Sequence, residues 1–182
     1  MTRMIPLLER NEQFARTYTP APLGPPTSQV FIVTCLDHRV DPAILFGLRL
    51  GEAPIIRNAG GRVTQAVIED IAYIGFLAEQ LFGGQLEDGR LFEVAVLHHT
   101  QCGTGLLADP GFRRQAAEAT GRPEAALEAS AVTDPYITVK ADVERLLASP
   151  LLSPKVSVSG HVYDIDTGRV TTALDAQYPL HT

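Results

Sequence analysis

Short apolar runs alternate with helical stripes along this chain, and this alternation limits the folds that are open to it. Runs rich in β-branched residues, typical of buried strands, lie at 29–34, 53–58, 91–98 and 156–163. Apolar residues at helical spacing predict helices at 64–81 and 134–147, with a weaker one at 109–120. A turn at 166–168 then leads into a last strand at 169–173. We therefore expect an α/β fold with a mostly parallel central β-sheet, flanked by helices on both faces and ending in a C-terminal hairpin strand.

The segment before the first strand differs from the rest of the chain. Residues 4–17 can form a helix with Ile5, Leu8 and Phe14 on or near one side. Residues 18–28 contain four prolines, so they can form neither a helix nor a central strand. We predict that residues 1–28 form a helical arm that contacts a partner subunit, with a frayed terminus as the alternative. Residues 29–182 would then form a single α/β domain.

Charge and hydropathy exclude several classes of partner. Fifteen basic residues against twenty-one acidic ones leave a formal charge of -6, which disfavours binding to nucleic acids and anionic bilayers. No stretch approaches the roughly 20 apolar residues of a membrane span. The apolar run at 4–8 is too short for a signal peptide. We expect a cytoplasmic protein that binds neither nucleic acid nor membrane.

The chain has two cysteines, which are too few for a disulfide scaffold and unnecessary for one at 182 residues. Cys35 follows the first predicted strand, and Cys102 follows the third, with His99 three positions before it. Because sites in parallel sheets form at the carboxyl ends of the strands, we expect all three side chains at one edge. Two thiolates and one imidazole are typical zinc ligands and leave a fourth position open for water. The alternative is a pair of buried free cysteines without a ligand.

Asp37 and Arg39 follow Cys35 at alternate positions. If the strand conformation continues, all three residues share a face, with Asp37 beside the metal and Arg39 behind it. A guanidinium that forks onto a carboxylate keeps it ionised and oriented. The alternative is a surface ion pair in a loop, which contributes little.

These residues resemble the signature of a known family, the β-class carbonic anhydrases. The three parts of the signature are Cys35-x-Asp37-x-Arg39, Arg57-Asn58-Ala59-Gly60-Gly61 and His99-Thr100-x-Cys102-Gly103. Residues 160–164 and 167–168 are similar to the last strand and hairpin of that family. The resemblance runs from about residue 30 to residue 173 and is nearest to the compact bacterial and archaeal branch.

The resemblance implies an activity and assigns roles to residues. Cys35, His99 and Cys102 would bind Zn²⁺, and Asp37 with Arg39 would form the catalytic dyad for reversible hydration of CO2 to bicarbonate and a proton. Zinc would lower the pKa of bound water to supply hydroxide, although two thiolates make it a weaker Lewis acid than three histidines would. By the same resemblance, the enzyme would be a homodimer or homotetramer. The small residues Ala59, Gly60 and Gly61 would leave room for the substrate.

Several details stay open at this point. In some family members the aspartate of the dyad binds zinc as a fourth ligand in a closed state, and Asp37 could do the same, leaving Arg39 unpaired. His38 and His98 are candidate proton carriers if they are exposed, or histidines without a special role. The chain departs from the family pattern at His38, where a small residue is usual, and at Gln101, where Asp is common.

Three other functions compete with CO2 hydration. The same site could hydrolyse carbon disulfide or carbonyl sulfide, which are also linear molecules open to attack by hydroxide. A zinc protein without turnover is a second alternative, although the intact Asp37–Arg39 pair argues against it. A cysteine-dependent phosphatase or sulfurtransferase is disfavoured, because Arg39 comes too soon after Cys35 and Asp37 would repel phosphate.

Overall fold

A five-stranded sheet forms the centre of the protein in the computed structural model, which describes residues 2–21, 23–83 and 89–180. The strands are β1 (Val30–Cys35), β2 (Ile55–Asn58), β3 (Glu93–His99), β4 (Ser157–Tyr163) and β5 (Val170–Gln177). Their spatial order is β2-β1-β3-β4-β5, with β5 antiparallel to β4 and all other pairs parallel. The predicted α/β class and C-terminal hairpin are confirmed.

In the described part of the chain, six α-helices connect or precede these strands. They are α1 (Ile5–Ala15), α2 (Pro42–Leu45), α3 (Gln65–Phe82), α4 (Pro110–Thr120), α5 (Glu124–Ala129) and α6 (Pro135–Leu147). Asp109 and Asp134 cap α4 and α6, each followed by a proline whose missing N–H costs nothing in the first turn. The sequence pattern missed α2 and α5, because helices of four and six residues are too short to show a 3.6-residue period.

The helices cover the two faces of the sheet unequally. Apolar residues of α3 and α6 pack against one face in the main core, and the other face carries a smaller cluster that includes Leu45 of α2. The handedness of the crossovers explains this distribution. From β1 the chain moves to β2 on one side, whereas the steps from β2 to β3 and from β3 to β4 run the opposite way. Right-handed crossovers in opposite directions place their helices on opposite faces of the sheet. Helices therefore cover both faces, as predicted, but the face with α3 and α6 carries the larger core.

Strand register places the ends of β1, β2 and β3 together. Thr34 pairs with Leu97 of β3, and the Thr34 hydroxyl donates a 2.8 Å hydrogen bond to the Leu97 carbonyl. Cys35 pairs with Asn58 of β2. The segment after Asn58 therefore begins beside Cys35, and the end of β3 lies on the other side.

The N-terminal arm has no buried residue in its helix α1. Ile5, Leu8 and Phe14 are about half exposed, at 49%, 53% and 54%. Residues 1 and 22 of the arm lie outside the described residues, and the contact with a partner subunit stays a prediction. None of the described helices combines the length and the apolar character needed to cross a membrane.

Candidate metal centre

The side chains of Cys35, His99 and Cys102 converge at the carboxyl ends of β1 and β3. One donor atom from each lies within 4.8 Å of the others, and the two Sγ atoms are 3.9 Å apart. A tetrahedral zinc ion with Zn–S bonds of about 2.3 Å would place its two sulfurs about 3.8 Å apart. All three residues are buried. The spacing, burial and chemistry of this donor set therefore fit Zn²⁺.

His99 is oriented for metal binding by its own backbone. Nδ1 lies 2.8 Å from the Thr100 carbonyl, which can only accept, so Nδ1 carries the proton and Nε2 carries the free lone pair. Nε2 is buried and has no hydrogen-bond partner among the described residues. A buried nitrogen without a partner is costly, whereas an imidazole held through its other N–H is the usual form of a metal-binding histidine.

The two thiols differ in acidity although they lie side by side. The hydrogen bond to Cys102, together with burial, raises the pKa of Cys35 to about 11. The hydrogen bond from Cys35, helped by one from Thr104 at 3.2 Å, lowers the pKa of Cys102 to about 6. In the pair, Cys102 is therefore the more acidic thiol and Cys35 the less acidic one.

Asp37 and Arg39 form a two-pronged ion pair next to this donor set. Arg39 Nε donates to Asp37 Oδ1 at 2.9 Å, and Arg39 Nη2 donates to Asp37 Oδ2 at 2.6 Å. The hydrogen bonds from Arg39 hold the pKa of Asp37 well below its usual range, against the opposing effect of burial. Oδ2 also lies 4.0 Å from His99 Nε2, so the carboxylate borders the open side of the centre.

A turn, not a continued strand, brings Asp37 and Arg39 together. β1 ends at Cys35, and the Val40 N–H donates to the Asp37 carbonyl at 2.9 Å to close the turn. The Asp37 side chain also accepts from the Arg39 N–H at 3.0 Å, as aspartates do in turns. The predicted alternation along an extended strand was therefore wrong in its geometry, although the two side chains do meet.

Arg57 fixes the backbone that carries the dyad, which the sequence reasoning did not foresee. Its Nε donates to the Cys35 carbonyl at 3.0 Å, and its Nη2 donates to the Asp37 carbonyl at 2.7 Å. The available signal was its position at the start of the Arg-Asn-Ala-Gly-Gly segment, but that position alone did not show which atoms it would contact.

A cavity of about 360 Å³ opens beside Cys35 and Cys102 of the donor set. Ala59, Gly60 and Thr104 are among the residues that line it, whereas Gly61 does not. Gly61 has φ +65°, and a Cβ on it would lie 2.9 Å from the Cys35 nitrogen. Gly61 thus packs closely against β1, and its place beside the substrate stays a prediction.

The two histidines proposed as proton carriers lie in opposite environments. The His98 side chain is 0% exposed, with Nδ1 2.9 Å from the Thr138 hydroxyl and Nε2 3.2 Å from Asp142 Oδ2. It therefore has no direct path to buffer. The His38 side chain is 93% exposed, and its Nδ1 lies 3.8 Å from Asp37 Oδ1.

A buried ion pair lies behind His98. The Asp142 carboxylate, whose side chain is 3% exposed, accepts hydrogen bonds from Arg62 Nε at 2.7 Å and Nη2 at 3.1 Å. Burial alone would raise the pKa of Asp142, but hydrogen bonds from His98 and Arg62 outweigh it and lower the pKa. Arg62 Nη1 also donates to the Ala129 carbonyl at 2.9 Å, so the pair connects α6 to the end of α5.

Comparison with known proteins identifies relatives along most of the chain. A family model described as carbonic anhydrase matches residues 30–119. β-Carbonic anhydrase 1 of Mycobacterium tuberculosis is 33% identical over 165 residues, which cover 90% of this chain and 93% of that protein. The crystal structure of carbonic anhydrase from Streptococcus mutans is 34% identical, with a TM-score of 0.77 over 95% of this chain and 98% of that one. A carbon disulfide hydrolase of Saccharolobus solfataricus is 27% identical over 179 residues, which cover 86% of this chain and 82% of that protein.

Proposed function

This chain belongs to the β-carbonic anhydrase family, zinc-dependent lyases that reversibly hydrate CO2 to bicarbonate and a proton, and we propose which of its residues perform that reaction. Cys35, His99 and Cys102 bind the zinc ion, and Asp37 with Arg39 forms the catalytic dyad. The observation that carries this assignment is the convergence of three buried donors, one of them an unpartnered imidazole nitrogen, beside a carboxylate held by a guanidinium.

Cys35, His99 and Cys102 would hold Zn²⁺, which would lower the pKa of a coordinated water and so supply a nucleophile at neutral pH. Asp37 orients this nucleophile. Its low pKa keeps the carboxylate an acceptor, and Oδ2 faces the donor set at 4.0 Å from His99 Nε2. A carboxylate in this position accepts the hydroxyl proton in a hydrogen bond and directs the oxygen lone pair into the cavity. Arg39 holds both carboxylate oxygens and so fixes their direction.

Ala59 and Gly60 keep the cavity wall free of large side chains, which suits a small neutral substrate such as CO2. His38 is the better placed of the two candidate proton carriers, because it is exposed and lies near Asp37, whereas His98 is buried. A proton leaving the centre can thus reach buffer through His38 without crossing the core.

We further propose that the open arrangement of the site is the active one. Both oxygens of Asp37 accept hydrogen bonds from Arg39, and Oδ1 also accepts from the Arg39 N–H. A closed state with Asp37 as fourth zinc ligand would break bonds of this set and leave a guanidinium without its carboxylate. Charge-assisted bonds of this kind are among the stronger ones in proteins, so they favour the open state.

The assignment is tested by stopped-flow CO2 hydration with the zinc-loaded protein. Wild type should turn over, Asp37→Asn should retain one zinc per chain and lose most of its turnover, and Cys102→Ser should lose both zinc and activity. Exposed Glu118 on α4 offers a matched control, since Glu118→Gln should change neither. Full activity of Asp37→Asn would refute the role of the dyad.

Carbon disulfide hydrolysis is the second candidate, because a relative with 27% identity carries that name. The same preparations should be assayed for release of hydrogen sulfide from carbon disulfide. We expect CO2 hydration to dominate, since the relative named as a carbonic anhydrase is more similar, at 33% identity. Turnover of carbon disulfide without CO2 hydration would reverse this choice, and zinc binding without either activity would favour a non-catalytic protein.

Assembly and location are part of the proposal. The exposed apolar side chains of α1 support a homodimer or homotetramer in which the arm of residues 1–28 packs on a partner subunit. Sedimentation velocity should show an oligomer for wild type and a shift towards monomer for Leu8→Glu/Phe14→Glu. Zinc binding needs Cys35 and Cys102 reduced, which supports a cytoplasmic location. Cell fractionation with an antibody against the protein checks that location.

A further inference from the structure

Gln101, which lies between two of the metal ligands, has an uncommon backbone conformation. Its φ is +56°, in the left-handed region that non-glycine residues rarely adopt. In this conformation its carbonyl oxygen accepts a hydrogen bond from Arg39 Nη2 at 3.1 Å. The same Nη2 donates to Asp37 Oδ2, so one nitrogen joins the dyad to the Gln101 backbone.

The side chain of Gln101 bonds to a different residue from the one that contacts its carbonyl oxygen. Its Nε2 lies 3.0 Å and 2.9 Å from the two carboxylate oxygens of Asp166, in the turn between β4 and β5. An amide donates to the Asp166 carboxylate, whereas an aspartate at position 101 would repel it. Gln101 and Asp166 are therefore chemically matched.

Hydrogen bonds within the β4–β5 turn hold the backbone around Asp166. The carboxylate of Asp164 accepts from the N–H groups of Asp166 and Thr167, each at 2.9 Å. The Ile165 N–H donates to the Thr100 hydroxyl at 3.0 Å, which ties the turn to the ligand loop. A side chain anchored on this turn is thus held relative to β3 and the metal ligands.

We propose that Gln101 and Asp166 are positioning residues for CO2 hydration, an inference that rests on the proposed function. Asp166 holds Gln101 in the left-handed conformation, the Gln101 carbonyl fixes Arg39, and Arg39 fixes the Asp37 carboxylate. The Arg39 side chain is 38% exposed, so the Gln101 carbonyl adds a second contact that restricts its motion beyond the pair with Asp37. Neither positioning residue touches the reacting atoms.

The proposal predicts a fall in turnover when the anchor is removed. Asp166→Ala and Gln101→Ala should each lower kcat about three- to tenfold, the loss expected for a typical hydrogen bond, because the effect on Asp37 is indirect and Arg39 keeps its own bonds to that carboxylate. The KM for CO2 should stay constant, because Asp37 orients the nucleophile and does not bind CO2. Zinc content and Tm should also stay constant, since the changed side chains are exposed. Exposed Glu118→Ala is the matched control and should leave every readout unchanged.

A glycine variant separates positioning from a general structural role. Glycine adopts the left-handed region without strain, so Gln101→Gly keeps the carbonyl in place without the Asp166 anchor. It should therefore retain more activity than Gln101→Ala, and adding Asp166→Ala to it should cost nothing further. Equal damage from the glycine and alanine variants would overturn the proposal, as would zinc loss in parallel with activity.

A measurement independent of activity follows the Arg39 side chain directly. In ¹⁵N-arginine-labelled, zinc-loaded protein, exchange of the Arg39 Nε–H with solvent should accelerate in Asp166→Ala and Gln101→Ala and stay slow in Gln101→Gly. Unchanged exchange in both alanine variants would refute the proposal that Asp166 fixes Arg39 through Gln101. If wild type failed to hydrate CO2, the proposed function would fail, whereas the exchange experiment would still decide the positioning.

Discussion

Removing the carboxylate of Asp142 should destabilise the fold more than any surface change. Asp142→Ala deletes an acceptor that is 3% exposed and leaves Arg62, whose side chain is 16% exposed, without its partner. The contact with His98 Nε2 at 3.2 Å is lost. The two bonds from Arg62, at 2.7 Å and 3.1 Å, are lost as well, and each is a hydrogen bond between charged groups. Such bonds contribute about 1.5–3 kcal/mol each, so we expect a loss of about 3–5 kcal/mol, as for other broken buried pairs. For a chain of this size, Tm should fall by about 10 °C.

Urea unfolding of zinc-saturated protein measures this loss, with the zinc concentration held fixed because a bound ion adds to the apparent stability. Arg62→Leu/Asp142→Leu is the informative companion, because replacing both partners avoids a buried unpaired charge. The double variant should be more stable than Asp142→Ala. A loss below about 1 kcal/mol in Asp142→Ala would refute the reasoning, since it is less than the cost of leaving one buried charged group unpaired.

The same pair makes stability depend on pH in a defined direction. The pKa of Asp142 is lower in the folded chain than in the unfolded one, so its ionised form stabilises the fold above about pH 3.9, the usual value for Asp. That contribution is lost as pH falls from there through the folded pKa. The stability of Asp142→Ala should therefore decline less than that of wild type below about pH 4. Parallel decline of the two proteins would contradict the assignment.

Other changes probe the metal centre and its support. Gly61→Ala should destabilise the protein by about 2–4 kcal/mol, because its Cβ would lie 2.9 Å from the Cys35 nitrogen at a φ of +65°. Thermal unfolding checks this, and Gly168→Asn is the control that should cost less, because a Cβ at position 168 meets open space. Zinc binding at pH 7.5 should release between one and two protons. About one comes from the thiols, since the pKa of Cys102 is about 6 and that of Cys35 about 11, and the rest comes from ionisation of the zinc-bound water. Calorimetry in two buffers of different ionisation enthalpy measures the total, and release of more than two protons would place both thiols in the protonated form. Arg57→Lys should lower CO2 hydration about tenfold with zinc retained, because an ammonium cannot bridge the Cys35 and Asp37 carbonyls as the guanidinium does. Turnover of Arg57→Lys equal to that of wild type would refute this.

The sequence predicted the sheet well because its strands carry a strong local signal. Buried parallel strands are apolar along their whole length, so the four runs stand out against the helical stripes. The N-caps Thr64, Asp109 and Asp134 likewise act within their own helices and could be recognised locally. The convergence of Cys35 with His99 and Cys102 followed from one topological rule about strand ends.

Contacts between segments distant in sequence were beyond that reasoning. The bond from Gln101 to Asp166 joins residues 65 positions apart, and the Arg62–Asp142 pair joins residues 80 positions apart. No periodic pattern in the sequence indicates such a pairing, because the pairing depends on how loops approach one another after the strands have aligned. The turn at Asp37 was missed for a related reason, since an aspartate bonded to its own backbone competes with strand continuation.

The donor set also has a consequence for the order of events during synthesis. Cys35 and Cys102 are 67 positions apart and meet through the pairing of β1 with β3. A nascent chain emerging from the ribosome therefore has no high-affinity zinc site until more than half of its residues have been made. Metal capture then reports that the centre of the sheet has assembled in the correct register. Zinc therefore binds late in folding, whereas a motif whose cysteines are neighbours in sequence can bind its metal early.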